Sequence, residues 1–367
     1  MVLIRLQFFL EKNNLLPEEK FGFRRGHSTI DQVLYFSQTM RDAQNLRPTH
    51  RNVAALLDLT KAFDRVWKHK LIINMHDTFN IRGRSPRNSS LSNYFCHTHG
   101  RNLLEKVVSA GTHIRLFADD IAVWRSGNII VEIESRLNSS LDALSIFTEE
   151  LKRSFNLVKT ISTFFKTNKN LYNYQPSLML KLQDLTYEKH PKYLGFILDP
   201  EFTSGKHIEH ITLKARKRLN ILKYIAGRDW GADATTLRTS FLALIRPILE
   251  YGFPIYCCAS KSNLEKLEKV QLSAARIING LKRSCPPVIV LYEADLQPLY
   301  VRRQASLVKY FNKLSSINQN DKTARYLNNW TYYKRLEKNS PFSQVKSQHI
   351  IVDIVEPHSL HCNLNTL

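Results

Sequence analysis

The sequence predicts an α/β (α+β) protein in which a small antiparallel sheet gives way, after about residue 203, to helices. Three observations lead there. "VAALLDL" (53–59) is a short, largely apolar run, the pattern of a buried strand. "HIRLF" and "IAVW" are β-prone runs flanking Asp119 and Asp120, which predicts a hairpin with the acids at its tip. From Ser204 onward apolar residues recur every three or four positions, and Ile208, Ile211, Ala215, Leu219, Leu222 and Ala226 form one helical face.

The remaining elements follow in order. Residues 1–50 read as a helix, a loop at "LLPEEKFGFRRGHST" and a helix over about 30–41. Thr60 fits an N-cap for a helix to about Phe79, and "RGRSPRNSSLSN" is loop-like. Behind the acidic hairpin, Ile133, Leu137, Leu141, Leu144, Phe147, Leu151 and Phe155 predict an amphipathic helix. "VKTISTFF" and "KYLGFIL" are strand-like. Further helices are expected near 233–246, 261–279 and 300–316. After Ser340 the periodicity fades, and 341–367 is expected to be a poorly ordered tail.

The charge is +21, a surplus that points to a polyanionic partner, nucleic acid first. The five cysteines form no paired spacing, so neither a zinc site nor a disulfide framework is indicated; "CHTH" (96–99) has no matching second pair. No apolar run reaches the roughly 18 residues that span a bilayer. "FLALIRPILEYGFPIYCCA" is broken by Arg246, Pro247, Glu250 and Pro254. "MVLIRLQFFL" lacks a small-residue cleavage site. An intracellular protein, nuclear or cytoplasmic and neither secreted nor transmembrane, is expected.

Adjacent carboxylates repel unless a cation holds them. A lone Asp pair at a hairpin tip is ordinarily a solvated turn. "LLDLTKAFDRVW" changes that, because it places Asp58 at the end of an apolar strand. If that strand lies beside the hairpin, Asp58, Asp119 and Asp120 gather into a hard-oxygen site of the kind Mg²⁺ or Mn²⁺ prefers. Two such ions can clamp the attacking and leaving oxygens of a phosphoryl transfer.

"FADD" with "LDLTKAFDRVW" resembles the catalytic motifs of reverse transcriptases, specifically those of jockey-like non-LTR retrotransposons of arthropods. "KFGFRRGHSTIDQV" (20–33) is similar to a fingers motif of that family, "NLVKTISTFF" (156–165) to its lysine-bearing motif and "KYLGFILD" (192–199) to its primer-grip hairpin. "VQLSAARIINGLKRSCP" and "EADLQPLYVRRQASLVKYFNKL" resemble the helical region after the polymerase domain, so the likeness runs over about residues 1–315. The resemblance implies a right-hand polymerase: partial fingers over 1–50, a palm over 51–203, and a helical thumb with a C-terminal extension over 204–340. It implies RNA-directed DNA synthesis by two-metal nucleotidyl transfer, with an RNA template, a DNA primer and deoxyribonucleotides as partners.

Residue by residue, it implies that Asp58 and Asp119 bind the metals, with Asp120 as a weaker or structural third and a backbone carbonyl near Asp58 facing the metal. Phe63 matches the aromatic that excludes a 2′-hydroxyl; a core position in its helix is the other reading. Lys159 matches a lysine that protonates the leaving pyrophosphate; otherwise it is a surface charge. Arg24 and Arg25 match fingers residues near template or nucleotide. Tyr193, Leu194 and Gly195 match the primer-grip turn. Lys214, Arg216, Lys217, Arg218 and Lys223 lie on a basic helix matching a thumb element against the template–primer backbone.

The sequence also departs from the family. The Pro-Gln-Gly turn and helix expected between the two acidic motifs is missing, and Asp58 and Asp119 stand only 61 residues apart. The shortening falls near 100–112. An upstream fingers motif and an endonuclease domain are missing too. The expectation is an N-terminally truncated, internally deleted copy, either an RNA-directed DNA polymerase of reduced activity or an inactive remnant that only binds nucleic acid.

Overall fold

The computed structural model describes residues 17–60 (apart from 23 and 25), 111–150, 154–227 (apart from 167, 168 and 172), 231–316 and 322–330, with isolated positions elsewhere. The expected N-terminal helix, the 60–79 helix, the loop before residue 100, Cys96–His99 and the tail over 341–367 lie outside the described residues.

Helix α1 (Thr29–Asn45) starts where Ser28 can cap it. The Ser28 hydroxyl accepts from the Asp31 N–H, and the Asp31 carboxylate accepts the Ser28 N–H at 2.6 Å, a reciprocal box that satisfies two end donors. Then come β1 (Arg51–Asp58), β2 (His113–Phe117), β3 (Asp120–Gly127), α2 (Ile130–Glu150) and β4 (Ile161–Phe165). Short strands follow: β5 (Met179–Leu180), β6 (Gln183–Asp184), β7 (Thr186–Tyr187), β8 (Lys192–Tyr193) and β9 (Phe196–Ile197). The main sheet has the order β2-β3-β1-β4-β7, antiparallel except for the β4–β7 pair.

β1 is central, and residues 52–57 are all buried. That explains its unbroken apolar run, because both of its faces are covered. On one face Val53, Ala55 and Leu57 join Ile121, Val123, Ile114 and Leu116 in a core closed by Ile133, Leu137, Leu141 and Leu144 of α2. Burying each large aliphatic side chain contributes roughly 1.5–3 kcal/mol. On the other face Phe36 of α1 meets the edges of Trp124 and Phe165 at ring separations of 5.0 and 5.8 Å.

The α2 expectation needs one correction. The apolar spacing runs to Phe155, but the helix is described over Ile130–Glu150, Leu151 lies outside the described residues, and Phe155 is not helical. Phe155 is buried instead through a bridge to Leu59, beside a Thr60 N–H bond to the Ser154 carbonyl at 2.9 Å. The same core takes the ring from either backbone, so periodicity alone could not mark the end.

From Thr203 the chain is helical: α3 (Gly205–Ile225), α4 (Ala234–Leu244), α5 (Arg246–Glu250), α6 (Phe253–Tyr256), α7 (Lys261–Asn279), α8 (Pro287–Glu293) and α9 (Leu299–Ser316). The buried face of α3 contains Ile208, Ile211, Ala215, Leu219 and Leu222, as the spacing predicts; Ala226 is only half-buried, at the C-cap. The long apolar run at 241–259 is cut into three helices by prolines at the starts of α5 and α6 and by the left-handed Gly252. No helix among the described residues is long and apolar enough to cross a membrane.

Helix α10 (Lys322–Asn329) departs from the expected 204–340 extension. It packs on α1, and the chain divides into one compact unit of Met1–Phe202 with Ile317–Arg335 and a second containing Thr203–Ser316.

His207 lies buried on α3 with its ring 5.5 Å from that of Tyr256. Burial, then the nearby His210, pushes its pKa down to about 4. The unfolded chain therefore takes up a proton at this residue below the ordinary 6.5, while the folded chain resists until about 4. The stability that a neutral His207 contributes is full above pH 6.5 and is lost as pH falls toward 4. Urea unfolding at pH 7 and pH 5 should show this loss, and His207→Leu should reduce the difference between them; an identical difference in both proteins would contradict it.

Candidate active site

The pairing of β1 with β3 sets Asp58 directly opposite Asp120, and β3 pairs Asp120 with Phe117 of β2. Ala118 and Asp119 form the hairpin turn between them, with Ala118 at φ 56. Strand alternation places Asp58 and Asp120 on one face of the sheet, opposite the face on which Leu57 and Ile121 enter the core. The three sequence-predicted carboxylates are therefore neighbours. Burial, then Asp119, then Asp58, pushes the Asp120 carboxyl up to about 6, with Lys159 opposing the rise.

Lys159 joins them. Its Nζ is 3.7 Å from Asp58 Oδ2, with 68% of the lysine side chain exposed, so the pair is worth little as a bond. Its place is set by the backbone. Asn156 N–H donates to the Asp58 carbonyl at 2.8 Å, Thr160 Oγ1 lies 3.4 Å from the Asp58 N–H, and Lys159 and Thr160 N–H both return to the Asn156 carbonyl. The turn carrying Lys159 is therefore bonded to Asp58 through the backbone. The Asp58 carbonyl is engaged by the bond from the Asn156 N–H.

Sequence reasoning missed the support under the turn. Residues 19–22 run along the edge of β2: Leu116 N–H donates to the Glu19 carbonyl at 3.0 Å, and Phe21 N–H to the Leu116 carbonyl at 2.9 Å. This brings Gly22 onto the acidic turn, where a Cβ would stand 2.4 Å from the Ala118 nitrogen and 3.1 Å from the Phe117 carbonyl carbon. Only glycine permits that approach. Arg115, buried on β2, has its guanidinium 4.1 Å from the Tyr35 ring centroid and 5.4 Å from that of Phe21, which ties the segment to α1. The glycine inside "KFGF" was the available signal; a buried arginine has none.

Comparison with known proteins bears on this arrangement. No family model matches the chain. A probable RNA-directed DNA polymerase from transposon BS of Drosophila melanogaster is 26% identical over 316 residues, covering 77% of this chain and 34% of that protein. The RNA-directed DNA polymerase from the mobile element jockey of the same fly is 24% identical over 314 residues, 76% of this chain and 34% of that protein. The corresponding X-element protein is 19% identical over 93% of this chain and 40% of its own length. The curated homologues of this chain are RNA-directed DNA polymerases of jockey-type and other non-LTR retrotransposons. The chain spans 34 to 40% of the length of these three. Among solved structures, a telomerase from Candida albicans with a telomeric RNA fragment reaches a TM-score of 0.34 at 12% identity over 89% of this chain and 56% of that one, too low a likeness to carry an argument.

The other residues suggested by likeness to non-LTR polymerases are placed as follows. Arg24 turns back, its Nη1 3.4 Å from the Pro17 carbonyl. Arg25 and Phe63 lie outside the described residues. Leu194 and Gly195, at φ 47 and 89, make the turn between β8 and β9, the pattern of a type I′ hairpin. Tyr193 enters the core: its hydroxyl accepts from Gln32 Nε2, its ring lies 5.4 Å from Phe36, and burial raises its pKa. Lys214, Arg216, Lys217, Arg218 and Lys223 are all exposed on α3. Among the described residues no group of three or more His, Cys, Asp or Glu side chains is already drawn into a metal-ready cluster. The donor chemistry of Asp58, Asp119 and Asp120 nonetheless suits a hard divalent cation, on which their oxygens would have to converge.

Gly22→Ala should destabilise the protein by about 1–3 kcal/mol, because the new methyl meets backbone that cannot swing aside. Urea denaturation measures this; an unchanged midpoint would mean the segment does not seat on the turn.

Proposed function

We propose that this chain carries the polymerase portion of a non-LTR retrotransposon reverse transcriptase, and that its chemistry is RNA-directed DNA synthesis. The observation that carries the reading is the Asp58–Asp120 register, with Asp119 in the adjoining turn, in a chain whose homologues are RNA-directed DNA polymerases. The fold would be a right-hand palm with partial fingers and a helical thumb.

Asp58 and Asp119 would hold Mg²⁺ or Mn²⁺, with Asp120 as third acid. Bound there, divalent metal supplies charge stabilisation for an in-line phosphoryl transfer from a deoxyribonucleotide to a primer 3′-hydroxyl. Lys159 Nζ, exposed beside Asp58, would give its proton to the leaving pyrophosphate. Phe63 would border the sugar and reject a 2′-hydroxyl. Arg24 and Arg25 would lie near template or nucleotide, and the turn of Tyr193, Leu194 and Gly195 would face the primer. The exposed basic residues of α3 would track the backbone of an RNA template paired to a DNA primer.

A second reading is favoured by one observation. The 60 residues between Asp58 and Asp119 contain no Pro-Gln-Gly turn, so this copy would have kept the acids and lost part of the cradle that aligns the nucleotide. Misplacement by ~1 Å can cost ~100-fold in rate. Primer extension on an RNA template with Mg²⁺ separates the two. The chain as written should extend at about 1% or less of the rate of a chimera carrying the corresponding segment of an intact relative between Asn102 and Thr112. Asp119→Ala should silence that chimera. Robust synthesis by the unmodified chain would exclude the remnant reading; a silent chimera would count against the polymerase assignment.

Binding to RNA–DNA duplex should weaken steeply with salt, since each neutralised phosphate releases counterions. Replacing Lys214, Lys217 and Lys223 together by alanine should reduce the log–log salt slope by roughly 2–3, at about 0.9 per lost contact. An unchanged slope would remove α3 from the interface.

A further inference from the structure

We propose that Arg325, Tyr326 and Trp330 are positioning residues for the acidic turn, and that α10 is a latch seated on α1 for that purpose. The seat is built. Asp42 of α1 is buried and accepts from Trp330 Nε1 at 3.0 and 3.1 Å, from the Tyr326 hydroxyl and from Gln38 Nε2 at 2.9 Å. Thr323 Oγ1 donates to the Asp31 carbonyl at 3.3 Å, across 292 residues of sequence. Thr323 and Ala324 are fully buried, and Leu327 and Trp330 nearly so. A buried carboxylate is costly unless donors meet it, and here two of its three side-chain donors come from this one C-terminal segment. An isolated helix of eight residues is marginal in water, so α10 owes its order to docking, and docked and undocked are its two states.

Two routes lead from the latch to the acids. Arg325 forms a two-pronged ion pair with Glu18, Nη1 to Oε1 at 3.4 Å and Nη2 to Oε2. Glu18 belongs to the segment whose Gly22 lies against the Ala118 nitrogen, next to Asp119. Tyr326 meets the edge of Tyr35 at a ring separation of 5.2 Å, and Tyr35 carries the Arg115 guanidinium on its face. Arg115 in turn lies over Phe21, and Arg115 and Phe21 flank the Leu116 backbone that holds the segment to β2. Both routes end on residues 17–22. Undocking the latch therefore frees the segment that fixes the turn.

The affinity readout rests on the metal site proposed above, so the full-length protein is followed by two measurements. Amide hydrogen exchange reports the latch, and Mn²⁺ calorimetry reports the acids. Tyr326→Ala combined with Trp330→Ala should deprotect 322–330 and lower Mn²⁺ affinity about fivefold or more, within the range of coupling through packed networks. Arg325→Glu keeps the buried seat, changes an exposed pair and so stays folded if the double variant does not. It should cost about threefold in affinity, and adding Glu18→Arg should restore it, which a merely structural role would not predict. A deprotected latch with unchanged Mn²⁺ affinity would overturn the proposal, as would failure of the charge swap to restore binding. If the wild-type chain binds no Mn²⁺, the metal-site reading fails by itself. The latch is then judged on the amides of 117–121: deprotection in the variants supports it, and unchanged protection overturns it.

Discussion

The register of one antiparallel pair governs the candidate site. β1 and β3 are aligned so that Asp58 meets Asp120, and a slip by one residue would turn one acid to the opposite face and its apolar neighbours out of the core. The core enforces the alignment. Val53, Ala55 and Leu57 need α2, as Ile121 and Val123 do, and the apolar burial of these residues outweighs the repulsion between carboxylates at the end of the ladder. The strain shows in Asp120, whose pKa is pushed up by burial and by its two acidic neighbours. A cation would relieve the same strain, so the arrangement that costs stability is the one that offers a function.

Much of this was legible in the sequence, for physical reasons. A continuous apolar run of five residues, 53–57, fits a strand buried on both faces, and β1 is such a strand. Acids between two β-prone runs fall at the end of a hairpin, with Asp119 in the turn and Asp120 opening β3. The α3 face emerged from spacing alone because a helix in a helical unit buries one stripe. Lys159 is different. Nothing local brings it to Asp58, and only its likeness to a lysine-bearing motif singled it out; the backbone bonds from Asn156 and Thr160 are what deliver it.

What the sequence hid is mostly long-range. Phe155 continues the α2 spacing although it lies in a bridge, because core demand is blind to the backbone that answers it. The segment at 19–22 has too few residues to read as a strand, yet it is one in effect, since the open edge of β2 supplies the partner groups. Tyr193 was expected with the turn but points inward, because a hairpin alternates its faces and Gln32 offers its hydroxyl a donor. The docking of α10 depends on Asp42, a polar residue in a helix that carried no sign of being buried until its partners were seen.

The shortened connection between the acidic motifs acquires a particular meaning from this topology. The pairs that align the acids draw on residues 51–58, 113–117, 120–127 and 161–165, and the core beneath them on α2. None of those pairs requires the stretch in which the Pro-Gln-Gly turn is missing. The alignment of the acids is therefore fixed by strand register and burial, independently of the connection between β1 and β2. The folding constraints on Asp58 and Asp120 come from the apolar residues beside them, which need the same register. The acids at the end of the ladder can thus stay aligned for reasons of packing alone. In the reading proposed above, the acids would therefore locate the site, and the cradle would decide whether it turns over.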